Sequence, residues 1–426
     1  MGTNGKNKNT VRNTVFVMPV RTGIVVIMIF IAMAAQLTTK KAHATASPDD
    51  TIKPYVGIGT TYDSNLFRIS DSVNPINVGA KSGKSDFITQ LRAGFEVDWK
   101  LSRQHFIIMA DINQNLFKTY NGLNYLGWDT LGKWGWQIGN DLNGEIGYSN
   151  KRSLGSFEQL NRPASNLQTQ EKYFANGGYF FHPSWQVRTG FFRNNLTYDG
   201  ASRQISNSTE DTGELGLQYL SPANNMAGLR VSMTDGSYPN RPFTAGSIFD
   251  SSYTRNKFEM IWDWTISGKT HIDGHLGYVQ QNYDHLKSRD FSDMIARSNL
   301  KWLATGKTSL SLSGWREISQ ANNLIANFLL SQGIGFTPTW MATPKIELSA
   351  PAFYEHQDYL GDPGFVSNGP LVQQKNKTWK LGLNLLYRPF DNTELSMIVQ
   401  HENRDSNIKA RSYKDQSIGL NLQVGF

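Results

Sequence analysis

The stretch SIGLNLQVGF, Ser417 to Phe426, alternates strictly between two kinds of side chain. Apolar residues stand at every second position from Ile418 onward, and small or polar residues separate them. Because successive side chains of a β-strand point to opposite faces, this rhythm predicts a strand with one apolar and one wetted face. A terminal segment is normally loose and polar. We therefore expect this strand to pair with another one and close a sheet.

The same alternation recurs along the sequence. The segments FITQLRAGFEVDW (Phe87 to Trp99), FEMIWDWTI (Phe258 to Ile266) and WKLGLNLLYR (Trp379 to Arg388) each place apolar residues on one face and charged residues on the other. No amphipathic stretch with a 3.6-residue period and the length of a helix competes with them. The segments are therefore predicted to be strands of one large sheet.

The connections between these segments alternate in length. Short ones carry Gly, Pro, Asn or Asp, as tight turns require, and include a predicted turn at Thr337–Pro344. The long polar links include Asp63–Lys84, Arg152–Leu167, Tyr238–Asp250 and Asp358–Gln374. Short turns on one rim and long loops on the other are typical of bacterial outer-membrane barrels. We predict an all-β fold, a transmembrane antiparallel up-and-down outer-membrane β-barrel of about 18 strands (16–18), with nine long loops and eight short turns.

The first 44 residues have the features of a secretory signal peptide. Basic residues from Lys6 to Arg21 precede an apolar run, Gly23 to Leu37, which is followed by Ala42-His43-Ala44. The run is shorter than the roughly 20 residues that a spanning helix requires. We predict cleavage after Ala44, so that residues 1–44 are the signal peptide and residues 45–426 form a single barrel domain.

The charge of the predicted mature chain is nearly balanced. Six of the 42 basic residues and none of the 35 acidic residues precede Thr45, so the formal charge falls from +7 to +1. This balance removes the main argument for binding nucleic acid. The absence of cysteine excludes a disulfide framework and a lipid-anchored cysteine.

The polar faces of the strands predict the wall of an aqueous lumen. The charged residues that we expect to line it and to contact the substance that passes through it are Arg92, Glu96, Asp98, Arg188, Arg230, Glu259, Asp263 and Arg297. Both signs are represented, whereas a pore for a strongly anionic polymer is expected to present mainly one sign. The alternative is that these charges pair with one another and stiffen the wall.

Aromatic residues fall into two predicted groups. Those expected near the turn ends of the apolar face, as an interfacial girdle, are Trp99, Trp262, Trp264, Trp302, Trp379 and Tyr387. Phe192, Trp315 and Trp136 are candidates for an inward orientation, where aromatic rings beside charged groups would suit sugar rings. The alternative for each of them is packing in the girdle or the core.

The sequence shows no catalytic motif, and neither a Gly-x-Ser-x-Gly nor a His-Glu-x-x-His pattern occurs. His271 and His275, with Asp273 between them, allow a metal site, but polar side chains facing the lumen are the simpler interpretation. We expect no enzyme activity, cofactor or metal.

One segment carries a family resemblance. PYVGIGTTYDSNLFRISD, Pro54 to Asp71, resembles the opening of the EpsL family of exopolysaccharide-biosynthesis outer-membrane proteins, which is associated with exosortase B and lies within the wider β-barrel porin group. The motif residues are Tyr62, Asp63, Asn65, Leu66, Phe67 and Arg68. The resemblance implies passage of a secreted polysaccharide across the outer membrane, and it implies no catalytic residue. The structural alternative is that Asp63 and Asn65 form a turn while Leu66 and Phe67 pack the loop down.

We therefore expect a channel for exopolysaccharide export in the outer membrane of a Gram-negative bacterium. The alternative is a general or small-solute porin, and an outer-membrane enzyme is a third class. Export predicts a pore largely occluded by loops such as Asp63–Lys84 or Tyr238–Asp250, whereas a porin predicts steady conductance. The expected partners are the polysaccharide, outer-membrane lipid, the periplasmic and inner-membrane proteins of polysaccharide synthesis and export, and the assembly machinery, which we expect to read Phe426 as its signal.

Overall fold

A computed structural model describes residues 51–158, 160–164, 166–323, 326–361 and 372–426. The predicted signal peptide and its cleavage after Ala44 lie outside these residues. The strands are β1 (Ile52–Asp63), β2 (Asp86–Leu101), β3 (Gln104–Phe117), β4 (Tyr125–Ile138), β5 (Leu142–Leu154), β6 (Leu167–His182), β7 (Trp185–Tyr198), β8 (Ser208–Leu220), β9 (Met226–Ser237), β10 (Ser252–Ser267), β11 (Thr270–Tyr283), β12 (Phe291–Leu303), β13 (Thr308–Asn323), β14 (Ala326–Thr343), β15 (Ile346–Ser349), β16 (Ala352–Leu360), β17 (Lys375–Phe390), β18 (Thr393–Ser406) and β19 (Tyr413–Gly425).

These strands form one closed antiparallel barrel. Each strand pairs with its neighbours in chain order, and β19 returns to pair with β1, from Tyr55 opposite Gly425 to Asp63 opposite Ser417. The segments β15 and β16 both lie between β14 and β17. They are two halves of one barrel strand, interrupted where Pro351 has no N–H to donate to the ladder. The barrel therefore has 18 strands within the described residues, and the predicted fold is confirmed.

The long connections lie on one rim and the short ones on the other, with one exception. On the long-loop rim β13 and β14 meet with Asn323 opposite Ala326, so the strand bounds of the described residues give eight long loops instead of the predicted nine. Connections on the long-loop rim are numbered by their order on that rim, and they include L1 (64–85), L3 (155–166), L5 (238–251) and L6 (284–290). The predicted turn at Thr337–Pro344 is wrong in its extent. Pairing of β14 with β13 continues to Trp340 opposite Thr308, so the turn itself is shorter.

Short 3-10 helices occur in the long loops, and those described are Pro75–Val78, Asn121–Leu123, Ala201–Ser206, Lys287–Arg289 and Lys409–Arg411. Among the described residues, none of the helices is long and apolar enough to cross a membrane.

The outer face of the barrel is apolar. Ile58, Phe258 and Leu420 are 49%, 54% and 53% exposed, although each belongs to the apolar register of its strand. Large apolar side chains around the outside of a closed barrel are the arrangement that a lipid bilayer stabilises, because closure satisfies the backbone hydrogen bonds within the wall. The chain is therefore a transmembrane barrel of the outer-membrane type.

Aromatic residues mark the short-turn rim of the outer face. The rings of Trp99, Phe106 and Trp134 stack in a row, with centroid distances of 5.3 and 6.0 Å. Two predictions require correction. Trp379 faces outward but lies near the long-loop end of β17, because that strand runs toward the turn rim. Trp136 shares the outward register of Trp134, so its predicted inward orientation is wrong.

Candidate functional site: the barrel lumen and its folded-in loops

Strand alternation places all eight predicted pore-lining residues on the inner face. Three of the four arginines lie in ion pairs on that face. Arg92 is 2.9 Å from Asp111, which also accepts a hydrogen bond from the Tyr55 hydroxyl. Arg230 lies 3.0 Å from Glu259. These contacts lie within the wall and hold neighbouring strands together.

The other predicted pore-lining residues contact partners of several kinds. Arg297 donates to Glu317 at 3.1 Å, whereas Arg188 donates to the amide oxygen of Asn176 at 2.7 Å. Asp98 contacts the His105 ring at 2.8 Å, and Asp263 lies 3.7 Å from His271. Glu96 lines a cavity beside Arg92.

The predicted metal-site histidines are divided between different partners. His271 lies 3.8 Å from Asp273, whereas His275 lies 3.4 Å from Glu317. The described part of the chain contains no group of three or more His, Cys, Asp or Glu residues that could hold a metal ion.

Two predicted inward aromatics do face the lumen. Trp315 donates its indole N–H to Ser331 at 3.1 Å, beneath the guanidinium of Arg297. Phe192 lies opposite Phe174 on the neighbouring strand, and both rings point inward. They form an apolar patch on a wall that is otherwise polar.

L1 begins with the family-resemblance motif, and the motif forms a compact turn. The Asn65 backbone N–H donates to the Asp63 carboxylate at 2.9 Å and to Asp415 of β19 at 3.0 Å. The Asn65 side chain accepts from the Ile69 N–H and donates to the carbonyls of Ile69 and Lys414, each at 2.9 Å. Asn65 therefore closes the turn on itself and ties it to the wall.

The apolar part of the motif forms the centre of a buried cluster. Phe67 is fully buried, and its ring makes edge contacts with Tyr120 and with Phe157 of L3. The buried members of the cluster are Leu66, Phe67, Ile69, Ala80, Phe117 and Phe157. L1 and L3 are thus packed together as a small core at the long-loop end of the barrel.

Arg68 carries a charge into this core. Its side chain lies 3.0 Å from Asp63, 3.2 Å from Asp415 and 3.8 Å from Glu402, all on inner strand faces. Burial disfavours a charge on Arg68, but these three carboxylates outweigh burial and raise its pKa. The backbone of Arg68 has φ of +55°, which a non-glycine residue adopts only when its surroundings enforce it.

L3 crosses the lumen. It connects β5 to β6, yet its Glu158 lies 2.6 Å from Arg404 and 3.2 Å from Lys380, on β18 and β17. Five strands separate β5 from β18 along the shorter way around the barrel: β4, β3, β2, β1 and β19. Because Lys380 and Arg404 point inward, L3 can reach them only through the barrel interior.

The crossing loop also rests on L1. The Asn161 side chain donates to the Arg68 carbonyl at 2.6 Å and accepts from Arg411 at 2.5 Å. Burial raises the pKa of Glu158, but the charges of Lys380 and Arg404 outweigh this effect and leave the pKa below its ordinary value. Glu158 is therefore an anion that two cations of the far wall hold in place.

L5 and L6 form a second inward-packed region. The side chain of Asp250 is fully buried, and it accepts hydrogen bonds from the backbone N–H groups of His285 and Leu286, both at 2.7 Å. Burial acts to raise the pKa of Asp250, but hydrogen bonds with His285 and with backbone N–H groups together outweigh burial and lower the pKa. L5 begins at Tyr238, whose ring packs against the inward-facing ring of Tyr253. L5 thus contacts L6 through Asp250 and the inner wall through Tyr238, and occlusion of the pore by this loop stays a prediction.

Two polar cavities open into the lumen below these loops. One has a volume of about 630 Å³ and lies against β1–β5, with Arg92, Glu96 and Asp111 in its lining. The other has about 540 Å³ and is lined from β4 to β13, with Lys172 and Lys257 among its charged residues. Both are of the size of small-molecule sites.

Comparisons with known proteins agree with the barrel geometry. A family model described as "Putative beta-barrel porin 2" matches residues 266–426, which is less than half of the sequence. No curated protein matches the chain. The family match covers β11 to β19 only, and the apolar exterior is that of a barrel of the bacterial outer membrane.

Similar solved structures include OccK2 (OpdF) of Pseudomonas aeruginosa, with 10% identity over 88% of this chain and 98% of that chain and a TM-score of 0.49. OccAB3 of Acinetobacter baumannii has 9% identity over 88% and 99%, with a TM-score of 0.49. A BenF-like porin of Pseudomonas fluorescens Pf-5 has 9% identity over the same shares, with a TM-score of 0.48.

Proposed function

We propose that this barrel is a gated outer-membrane channel through which a secreted polysaccharide leaves the cell. The observation that carries the proposal is the contact of Glu158 with Lys380 and Arg404, by which L3 crosses the lumen. An export channel has to stay closed to periplasmic solutes while no polymer is present. A loop that charged groups hold across the lumen, and that can be displaced, meets this requirement.

The motif at the start of L1 supports the same proposal. Its residues are those that resemble the exopolysaccharide family, and here they fasten the loop on which L3 rests. The motif therefore acts in loop docking, and the polymer is handled by the polar lumen below. The partners that this function requires are the polysaccharide, periplasmic and inner-membrane proteins that deliver it, and the machinery that inserts the barrel into the outer membrane.

Uptake of small solutes is the second candidate function. The sizes of the two lumen cavities, about 540 and 630 Å³, favour it, because they suit a ligand of a few rings. A small-solute channel would conduct with its loops in place, whereas an export channel would not.

Two measurements test the proposal. Deleting the gene is expected to abolish surface exopolysaccharide and to leave polymer or precursor inside the cell. In planar bilayers the purified barrel is expected to show low conductance that rises when L3 is released. Normal surface polymer in the deletion strain would refute export, and steady wild-type conductance would favour the small-solute channel.

A further inference from the structure

We infer that the lumen wall formed by β6 and β7 carries a binding strip for acidic saccharide units. We define the strip by Lys172, Phe174, Arg188, Phe192 and Asn194. The inference rests on the proposed function for the saccharide nature of the cargo, and it adds the charge of that cargo and the residues that recognise it.

The apolar part of the strip is a pair of phenyl rings. Phe174 and Phe192 are direct cross-strand partners on the inner face. A Cβ atom at Gly147 would lie 2.3 Å from the Phe174 ring, and one at Gly190 would lie 2.9 Å from the Phe192 ring. The two glycines therefore leave room for the rings to lie close to the wall. Sugar rings present C–H faces, which pack on aromatic faces while their hydroxyl groups remain free to hydrogen-bond.

The charged part of the strip is Lys172. Its ammonium nitrogen lies 5.8 Å from the centroid of Phe174 and 5.4 Å from that of Phe192. A group bound on the rings is therefore within reach of the ammonium. No carboxylate of the described residues lies within ion-pair distance of Lys172, which is exposed to the lumen.

The adjoining cavity of about 540 Å³ has four acidic and four basic residues in its lining, and most of the acidic ones are neutralised by ion pairs. Its inward carboxylates are already paired: Asp129 with Lys151 at 3.0 Å, Glu210 with Arg255 at 2.9 Å and Glu317 with Arg297 at 3.1 Å. The carboxylate of Glu171, another lining residue, accepts from Tyr148 on the outer register.

Two lysines of this cavity, Lys172 and Lys257, form no ion pair within 4.0 Å among the described residues, but the charge of Lys257 acts on Glu210. Lys172 is therefore the cation that is available to attract an anion, and the low dielectric of a partly enclosed cavity strengthens that attraction.

Polar side chains extend the strip above and below the rings. Asn194 lines the cavity next to Lys172, and its amide can donate and accept. Toward the turn rim, Arg188 donates to Asn176 at 2.7 Å and retains further N–H groups. Cation, rings and a second cation thus follow one another down a single wall. A chain of acidic sugars could pass from one weak site to the next.

Equilibrium binding to the folded, detergent-solubilised full chain tests the inference, with calorimetry as the readout. The probes are a trimer of galacturonic acid, which carries carboxylates, and maltotriose, which is neutral. We expect the acidic trimer to bind in preference. Lys172→Gln should weaken its binding about tenfold, which corresponds to the loss of one charge-assisted hydrogen bond.

Control variants separate charge from structure. Lys172→Arg keeps the cation and should retain binding, and Phe192→Ala should weaken binding of both saccharides. Lys301→Gln removes a lumen-facing cation of β12 outside the cavity and should have no effect. Heat-modifiable mobility on gels confirms that each variant is folded.

Three outcomes would contradict the binding strip. They are equal affinity for the two trimers, no binding of the acidic trimer, or a loss of affinity in Lys301→Gln that equals the loss in Lys172→Gln. Such results would leave the proposed export function intact, with a neutral polymer as cargo, if the deletion strain still lacks surface polysaccharide. Preferential binding of the acidic trimer, together with normal surface polysaccharide in the deletion strain, would support the binding strip and refute export.

Discussion

Glu158 of L3 and Arg404 of β18 lie 2.6 Å apart, although 246 positions separate them in the sequence. The strands that L3 connects, β5 and β6, are on a different side of the barrel from β18. Arg404 is only 3% exposed at its side chain, so its charge depends on a partner inside the protein. The contact couples the position of L3 to the charge state of the lumen wall.

Replacing Glu158 with Gln is expected to release L3 from the far wall. The change leaves Lys380 and Arg404 without their loop carboxylate. Because Glu158 is partly exposed, we expect a cost to docking of about 2 kcal/mol, below that of a fully buried pair. Single-channel recordings should show a ratio of open to closed time roughly 30-fold above that of wild type, because each 1.4 kcal/mol changes the equilibrium about tenfold. Glu347→Gln, at a short strand near the turn rim, is the matched control and should conduct as wild type.

Acidification should have the same effect in the wild-type chain. The pKa of Glu158 is lowered, so its contribution to docking is fully present above the ordinary glutamate pKa of about 4.3 and is lost as pH falls through the lowered value. The groups that face it are Lys380 and Arg404, with Glu402 beyond Lys380. Conductance should therefore be flat near neutral pH and should rise only below the ordinary value. If the variant Glu158→Gln retains the full acid response, a group other than Glu158 carries that response.

Loss of Asn65 should loosen L1 without unfolding the barrel. Asn65→Ala removes one accepted and two donated side-chain hydrogen bonds, with an expected cost to loop docking of about 1–3 kcal/mol. Limited proteolysis at Lys81 and Lys84 should become faster, while the unfolding temperature of the barrel changes little. Asn74→Ala, in the same loop, removes one exposed capping bond and should leave the cleavage rate unchanged.

Four inward arginines should set the ion selectivity together. Replacing Arg92, Arg188, Arg230 and Arg297 with Gln leaves Asp111, Glu259 and Glu317 without their arginine partners. The reversal potential in a salt gradient should move toward cation selectivity, and export yield should fall more than in any single variant. If both quantities stay at their wild-type values, these arginines do not line the route of ions or polymer.

Phe426 remains a predicted assembly signal. Its backbone N–H donates to the Pro54 carbonyl at 3.0 Å, so its main chain continues the seam between β19 and β1. Phe426→Asp should keep that bond but slow insertion, because the apolar side chain is lost from the outer register. Heat-modifiable mobility of membrane fractions measures the folded yield, and an undiminished yield would contradict the assignment.

The strands could be predicted from the sequence because a period of two is a local signal. Phe258 to Ile266 and Trp379 to Arg388 alternate except at Ile261 and Leu386, which are apolar residues at inner-face positions, and the registers of these strands in the barrel follow the alternation. The extent of β14 could not be predicted, because Pro338 suggests a turn, whereas pairing with β13 on one side and β15 on the other keeps that segment extended.

The candidate site was predicted only in part. Alternation assigned Arg92 and Arg230 to the inner face, but partners on neighbouring strands decide whether their charges are available. Nothing in the sequence around Glu158 indicates a partner, since Lys380 lies 222 positions away and the two meet only through closure of the barrel. Lys172 could have been found by the same alternation that identified Phe192.

L3 also acts on the barrel as a mechanical element. A cylinder of strands resists a change from a round to an oval cross-section only through bending of its wall, whereas a tie between distant walls opposes it directly. With Glu158 held by Lys380 and Arg404, and Asn161 held by Arg411, L3 is such a tie. Release of L3 would unblock the mouth of the barrel and would also allow the mouth to change shape. The width available to a polymer therefore depends on the same contacts that block the lumen.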